Sequence, residues 1–70
     1  MGETVILRDL HELGYCNRGS KMFFSKHNID WSNFIINGVS FEILLKLDDA
    51  MATKAVNQAK KRLENEAING

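Results

Sequence analysis

Proline is absent from the 70 residues of this chain. Breaks between elements must therefore come from glycine, asparagine or helix-capping side chains, since these are the other residues that end helices and form turns. Helix ends formed in this way are typical of a helical protein with short connections.

Cysteine is nearly absent, and Cys16 is the one thiol of the sequence. An internal disulfide is thereby excluded, and secreted domains of this size usually need several. No apolar run approaches the roughly 20 residues that span a membrane. The first ten residues carry Glu3, Arg8 and Asp9, unlike a secretion signal. We therefore expect a cytoplasmic protein with no membrane contact.

Net charge is absent as well, because nine basic residues balance nine acidic ones. A neutral chain has no global attraction for nucleic acid or for anionic lipid. The hydrophobic fraction of 44% and the charged fraction of 26% are ordinary for a globular protein. We expect one small helical domain over residues 1–70, with marginal stability because so short a chain buries little surface.

Apolar residues recur at spacings of three and four, which predicts helices. The predicted segments are 5–14, 17–27, 30–37, 40–47, and a last one from Asp48 or Asp49 to about 67, with 66–70 frayed. Asn17, Asp30 and Ser40 are the expected N-caps, and Gly14 and Asn28 the expected stops. The fold class is all-α, with four to five short helices in a compact orthogonal bundle whose last helix is the longest.

Two local alternatives stay open. Val5 and Ile6 are residues that favour β-structure, so the first turn could be extended instead. Asn37-Gly38 is also a hairpin signal, with strands at 34–36 and 39–41. A lone hairpin is rarely stable, which favours the helical interpretation.

The inner faces of the predicted helices define one core. Its expected members are Leu10, Leu13, Phe23, Ile29, Phe34, Leu44, Leu45, Val56 and Leu63. The stripe of Ala52, Val56, Ala59 and Leu63 on the last helix packs within the monomer or serves a homodimer, because small residues allow close helix approach. The chain is accordingly expected to be a monomer or a weak homodimer.

Four stretches carry a resemblance: Leu-Gly-Tyr-Cys-Asn-Arg-Gly-Ser-Lys at 13–21, Phe-Phe-Ser-Lys-His-Asn-Ile-Asp-Trp at 23–31, Asn-Gly-Val at 37–39 and Asp-Ala-Met-Ala at 49–52. The pattern resembles a family of small, uncharacterised proteins encoded in tailed phages and bacterial prophages, over about three quarters of the chain. The chain departs from it at Asn28, where the family more often has Gly, and at Asp48, where Gly or Thr is common. The resemblance implies a phage or prophage origin, an accessory role in a bacterial host cell, and no established activity.

A cationic cluster is the most suggestive feature of the residues themselves. Arg18, Lys21, Lys26 and His27 lie in a stretch, 16–29, that contains no acidic residue. Short helices with a basic second helix are typical of helix-turn-helix domains, and such a surface could contact phosphates. The alternatives are a site for an acidic protein patch and a plain solvated helix face.

Two aromatic residues are candidates for contact with a protein partner. Met22, Phe23 and Phe24 are consecutive and cannot all face one core, so one of the aromatics could be exposed and anchor an interface. Trp31 lies early in a short helix and either packs on the core or joins Phe24 in that role.

Reactive chemistry is poorly supported by the sequence. His11, Cys16 and His27 match neither a nucleophile–base spacing nor a zinc signature. Asp48 and Asp49 are adjacent, which suits helix capping better than shared acid–base work. We expect no enzyme, no cofactor and no metal site. The favoured function is protein–protein contact, including a role in particle assembly with or without entry into the virion, and the alternative is a small helix-turn-helix-like DNA-binding protein.

Overall fold

The computed structural model describes residues 3–69, with the side chains of residues 3–66. About 70% of the chain is helical, and a two-stranded sheet completes it. The elements are β1 (Thr4–Val5), α1 (Leu7–Glu12), α2 (Asn17–Lys26), α3 (Trp31–Asn37), β2 (Val39–Ser40), α4 (Phe41–Leu45) and α5 (Ala50–Asn69). The α-rich fold with a longest last helix is confirmed, but it is not purely all-α. The orthogonal arrangement of the helices and the fraying of 66–70 stay predictions.

The small sheet joins the N-terminus to the middle of the chain. Thr4 pairs with Ser40 and Val5 with Val39, in antiparallel register. The first turn is therefore extended, and the helix predicted from residue 5 begins at Leu7. The hairpin alternative is wrong, because 34–36 are helical and β2 pairs with the distant β1. This pairing buries the two valines in the core.

The core draws residues from every element. Its buried hydrophobic members are Val5, Leu10, Phe24, Phe34, Val39, Phe41, Leu44, Ala52, Ala55, Val56 and Ala59, with Leu13, Phe23, Ile29 and Leu63 partly buried against them. The expectation for Leu45 was wrong, because its side chain is 48% exposed. Successive residues of a helix point about 100° apart, so Leu44 and Leu45 cannot both face inward in so short an element.

A buried ion pair ties three elements together. Asp9 of α1 is fully buried, although its neighbours Arg8, His11 and Glu12 are exposed. Its carboxylate accepts a hydrogen bond from Nε of Arg62 on α5 at 2.9 Å and another from the Ile6 backbone N–H at 2.9 Å. Arg62 also donates from Nη2 to the carbonyl of Thr4 at 3.0 Å, which reaches β1. One guanidinium thus connects α5, α1 and β1.

Arg62 stays protonated in the folded protein. The hydrogen bond that Arg62 donates to Asp9 raises the pKa of Arg62 against the opposing effect of burial, and the negative charges of Asp9 and Glu66 raise it further. A raised pKa in the folded state stabilises the fold below the unfolded pKa of arginine, and that contribution fades only above it. The ion pair therefore keeps its cation across the whole physiological pH range.

Helix starts follow the predicted capping chemistry with one correction. Asp30 caps α3, accepting from the Ser32 N–H at 3.1 Å. Ser40 caps α4 and Asp49 caps α5 in the same way. For α2 the cap is Cys16 and not Asn17, because the Cys16 Sγ accepts from the Gly19 N–H at 3.3 Å and helical backbone already begins at Asn17.

Helix ends depend on left-handed backbone at predicted positions. Gly14 ends α1 with φ 82°, and Asn28 ends α2 with φ 59°. Beyond Asn28 the Ile29 N–H donates to the carbonyl of Phe24 at 2.8 Å, which is the Schellman arrangement. Both predicted stops are confirmed.

The small-residue stripe of α5 packs against the core of the same chain. Ala52, Val56 and Ala59 are buried, and Leu63 packs partly buried against the core. The three buried residues of the stripe are therefore not available to a second copy, and the homodimer alternative is wrong for them. The helix itself continues to Asn69, beyond its predicted end near residue 67.

Gly38 permits the close approach of β1 and β2. It has φ 78°, and a Cβ placed on it would lie 2.8 Å from the carbonyl oxygen of Val5. Both the backbone conformation and the contact exclude a larger residue. Gly14 has a similar φ of 82°, but a Cβ there would meet no atom within 4 Å.

We expect Gly38→Ala to destabilise the fold more than Gly14→Ala. Left-handed backbone costs alanine about 1 kcal/mol at Gly14. Gly38 has φ 78° and ψ −177°, a region that almost only glycine adopts, and the clash with the Val5 carbonyl adds to that strain, so its loss exceeds about 2 kcal/mol. Urea unfolding followed by circular dichroism measures both. Equal losses would contradict the close β1–β2 packing at Gly38.

Candidate interaction surface

The outer face of α2 carries the cationic residues together. Helical periodicity places Arg18, Lys21, Met22 and Lys26 within an arc of about 140°, and all four are exposed. Ser20 and Phe24 lie on the opposite side of the helix and are buried. We call Arg18, Lys21, Met22 and Lys26 the cationic face.

The charges of the cationic face are directed at solvent. Among the described residues, the ion pairs are Arg8–Glu12, Arg62–Asp9 and Arg62–Glu66, and none involves α2. No acidic residue occurs from 16 to 29 to neutralise the face locally. Its positive charge is therefore available to a ligand.

Met22 lies at the centre of this face and is 67% exposed. Arg18 precedes it by four residues and Lys26 follows it by four, so each lies one helical turn away. Sequence reasoning did not select Met22 as a binding residue. Helical periodicity could have identified it. Met22 and Phe24 lie about 200° apart around α2, so a buried Phe24 places Met22 on the solvent side.

His27 does not belong to the cationic face. Its ring is half-buried and packs against Phe23, with ring centroids 4.6 Å apart. It lies about half a turn around the helix from Arg18. The predicted grouping of His27 with the three cations is therefore wrong in space, although the residues are close in sequence.

Phe24 is a core residue and not a surface anchor. Its side chain is 1% exposed, and its ring meets Phe34 at 4.6 Å and Trp31 at 5.6 Å in edge-on geometry. Phe24 is consequently removed from the candidate binding residues. Trp31 is half-buried and packs on the same cluster, 5.4 Å from Phe34, so only part of its ring is available to a partner.

The exposed side of α3 is uncharged. In a helix-turn-helix motif the second of its two helices enters the major groove and reads bases with polar and basic side chains. That helix is α3 in an α2–α3 motif, but it is the basic helix α2 in an α1–α2 motif. The exposed residues of α3 are Ser32, Asn33, Ile35, Ile36 and Asn37. Ile36 is 79% exposed, which suits contact with a protein better than contact with a base edge.

A groove between α4 and α5 carries the opposite charge. Phe41, Leu45 and Leu63 supply its apolar lining, and Glu3, Glu42, Lys60 and Glu64 are the charged residues around it. Its volume is about 660 Å³, and it is open to solvent. We call this feature the acidic groove, since three carboxylates outnumber its one lysine.

The thiol and the histidines have local partners. His11 Nε2 lies 2.6 Å from the side-chain oxygen of Asn17, whereas Cys16 holds the N-terminus of α2. Within residues 3–69 no group of three or more His, Cys, Asp or Glu is close enough to share a metal ion. The hydrogen bonds of His11 and Cys16 thus serve the α1–α2 connection.

Comparison with known proteins assigns no family. No family model, curated protein or solved structure matches the chain. Among the described helices, none combines the length and the apolar character needed to cross a membrane.

We expect Phe24→Ala and Met22→Ala to differ sharply in stability. Removing a buried phenylalanine costs about 3 to 5 kcal/mol, whereas truncating an exposed methionine stays within about 0.5 kcal/mol. Thermal unfolding of the two variants measures the difference. A loss for Met22→Ala equal to that for Phe24→Ala would contradict the orientation of α2.

Proposed function

We propose that this chain is a non-enzymatic interaction protein whose cationic face binds an acidic surface of a protein partner. Arg18, Lys21 and Lys26 supply the charge, and Met22 enters an apolar pocket between the partner's carboxylates. The observation that carries the proposal is an exposed methionine at the centre of an unpaired cationic face.

Met22 favours a protein partner over nucleic acid. A phosphate backbone offers charge but no apolar pocket, so an exposed thioether would gain nothing from it. Protein interfaces, in contrast, are enriched in methionine and arginine, and an unbranched methionine adapts to irregular pockets. Met22 and Arg18 therefore fit contact with a protein surface, and the charges of the two lysines require that surface to be acidic.

Helix-turn-helix-like DNA binding is the second candidate. The observation that favours it is the same set of unpaired cations, which could contact phosphates. Two observations weigh against it: the net charge is zero, and the centre of the face is the apolar Met22, which is 67% exposed.

We propose a phage or prophage origin from the resemblance described above. The two positions at which the chain departs from that pattern, Asn28 and Asp48, have φ of 59° and 50°. Glycine is the residue that most readily adopts such backbone, so its frequency at position 28 in the family fits the same turn, whereas the Thr that is also common at position 48 does not favour such backbone. Under this proposal the protein is an accessory factor in the bacterial host cytoplasm, with a role such as particle assembly.

Amide NMR with two probes tests the binding proposal. One probe is a soluble peptide of glutamate and leucine, and the other is a generic DNA duplex, each added at low salt. We expect shifts over residues 17–26 with the peptide, and binding about fivefold weaker for the variant Arg18→Ala/Lys21→Ala. Met22→Ser should weaken peptide binding but leave any DNA binding unchanged.

A charge-matched control separates the site from general electrostatics. Lys54 and Lys61 are exposed on α5, and Lys54→Ala/Lys61→Ala should leave peptide binding unchanged. Shifts with DNA alone would overturn the proposal in favour of DNA binding. No shifts with either probe would remove the cationic face as a binding site.

A further inference from the structure

One chain carries two surfaces of opposite charge, each with apolar side chains among its charges. The cationic face presents three cations around a protruding Met22. The acidic groove presents three carboxylates and one lysine around an apolar lining. Within the described residues no ion pair joins the two surfaces, so neither satisfies the other inside the monomer.

The groove has the volume and the chemistry to receive an apolar side chain that is flanked by cations. Leu45 and Leu63 line it and remain partly exposed, which leaves apolar surface for an incoming side chain. Glu42 and Glu64 stand beside that lining, on α4 and α5 respectively. A methionine flanked by cations one turn to either side would meet apolar surface at its centre and carboxylates around it.

We propose that the acidic groove of one copy binds the cationic face of a second copy. The proposal rests on the function proposed above, because it names the acidic partner of the same cationic face. Met22 of one copy packs against Leu45 and Leu63 of the other. Arg18, Lys21 and Lys26 meet the carboxylates around the groove.

The opposite charges of the cationic face and the acidic groove favour a second copy of this chain as the partner that occupies the groove. A net charge of zero means that two copies do not repel each other at long range, so the local match between the surfaces decides their orientation. Because the two surfaces are different patches of one chain, the contact joins unlike faces. Two reciprocal contacts give a closed dimer, and a single contact repeated gives a head-to-tail chain.

Association through exposed charges is weak and sensitive to salt. In sedimentation at about 1 mM protein and about 20 mM salt, we expect the mean mass to exceed the monomer mass by roughly half. At about 500 mM salt the mean mass should return to that of the monomer. Leu45→Ser should also reduce the association, since it removes part of the apolar lining.

Two neutralised variants identify the contact. Arg18→Gln/Lys21→Gln removes charge from the cationic face, and Glu42→Gln/Glu64→Gln removes it from the groove. Each variant alone should remain monomeric, because each lacks one of the two complementary surfaces. Their equimolar mixture should form a one-to-one dimer, because the intact groove of one chain meets the intact cationic face of the other.

A control of equal net charge excludes general attraction between the two variants. Adding Met22→Ser to the groove variant leaves its net charge unchanged but removes the central side chain. The mixture should then lose at least about half of its association. Full association of this control mixture would overturn the proposed contact.

Two further outcomes would overturn the proposal. The first is a wild type that stays monomeric at about 1 mM protein and low salt. The second is an association that survives both neutralised variants. Peptide binding by the cationic face in the same preparations keeps the two proposals distinguishable: monomers that bind the peptide refute self-association alone, and monomers that do not bind it refute both.

Discussion

A buried carboxylate is the constraint on which the arrangement of the chain depends. Asp9 is removed from water entirely, and an unpaired charge in that position would cost several kcal/mol, so the fold must bring a cation to it. Arg62 arrives from 53 positions away and is itself only 12% exposed. By also binding the carbonyl of Thr4, the same guanidinium places β1, which in turn pairs with β2.

The fold has two parts, and the buried ion pair lies in only one of them. β1, α1, α4 and α5 form the part that the ion pair and the alanine-rich face of α5 hold together. The segment α2–α3 packs on the core through Phe24 and Phe34 and directs charged and apolar side chains outward. Binding through the outer face of α2 therefore requires no rearrangement of the buried ion pair, and the acidic groove lies on the other part of the fold.

The sequence predicted the features that depend on residues close to one another in the chain. The helices, the caps Asp30 and Ser40, and the stops Gly14 and Asn28 depend on residues within one or two turns of each other. The pairing of β1 with β2 could not be foreseen, because two-residue strands leave almost no pattern that would indicate their partner. Asp9 lay among exposed polar residues, and its burial follows only from the distant Arg62. The candidate site was half predicted: the three cations share a face, but His27 and Phe24 turn away from it and Met22 takes the centre.

The most direct test of this account is the coupling energy between Asp9 and Arg62. Urea unfolding of wild type, Asp9→Asn, Arg62→Met and the double variant gives it, with a stabilising osmolyte present throughout so that each protein has a folded baseline. Asp9→Asn keeps an oxygen for the Ile6 N–H and removes the charge. The account predicts a coupling of about 2 kcal/mol, with the double variant more stable than additivity requires. A coupling under about 0.5 kcal/mol would contradict it, because the two residues would then stabilise the fold independently.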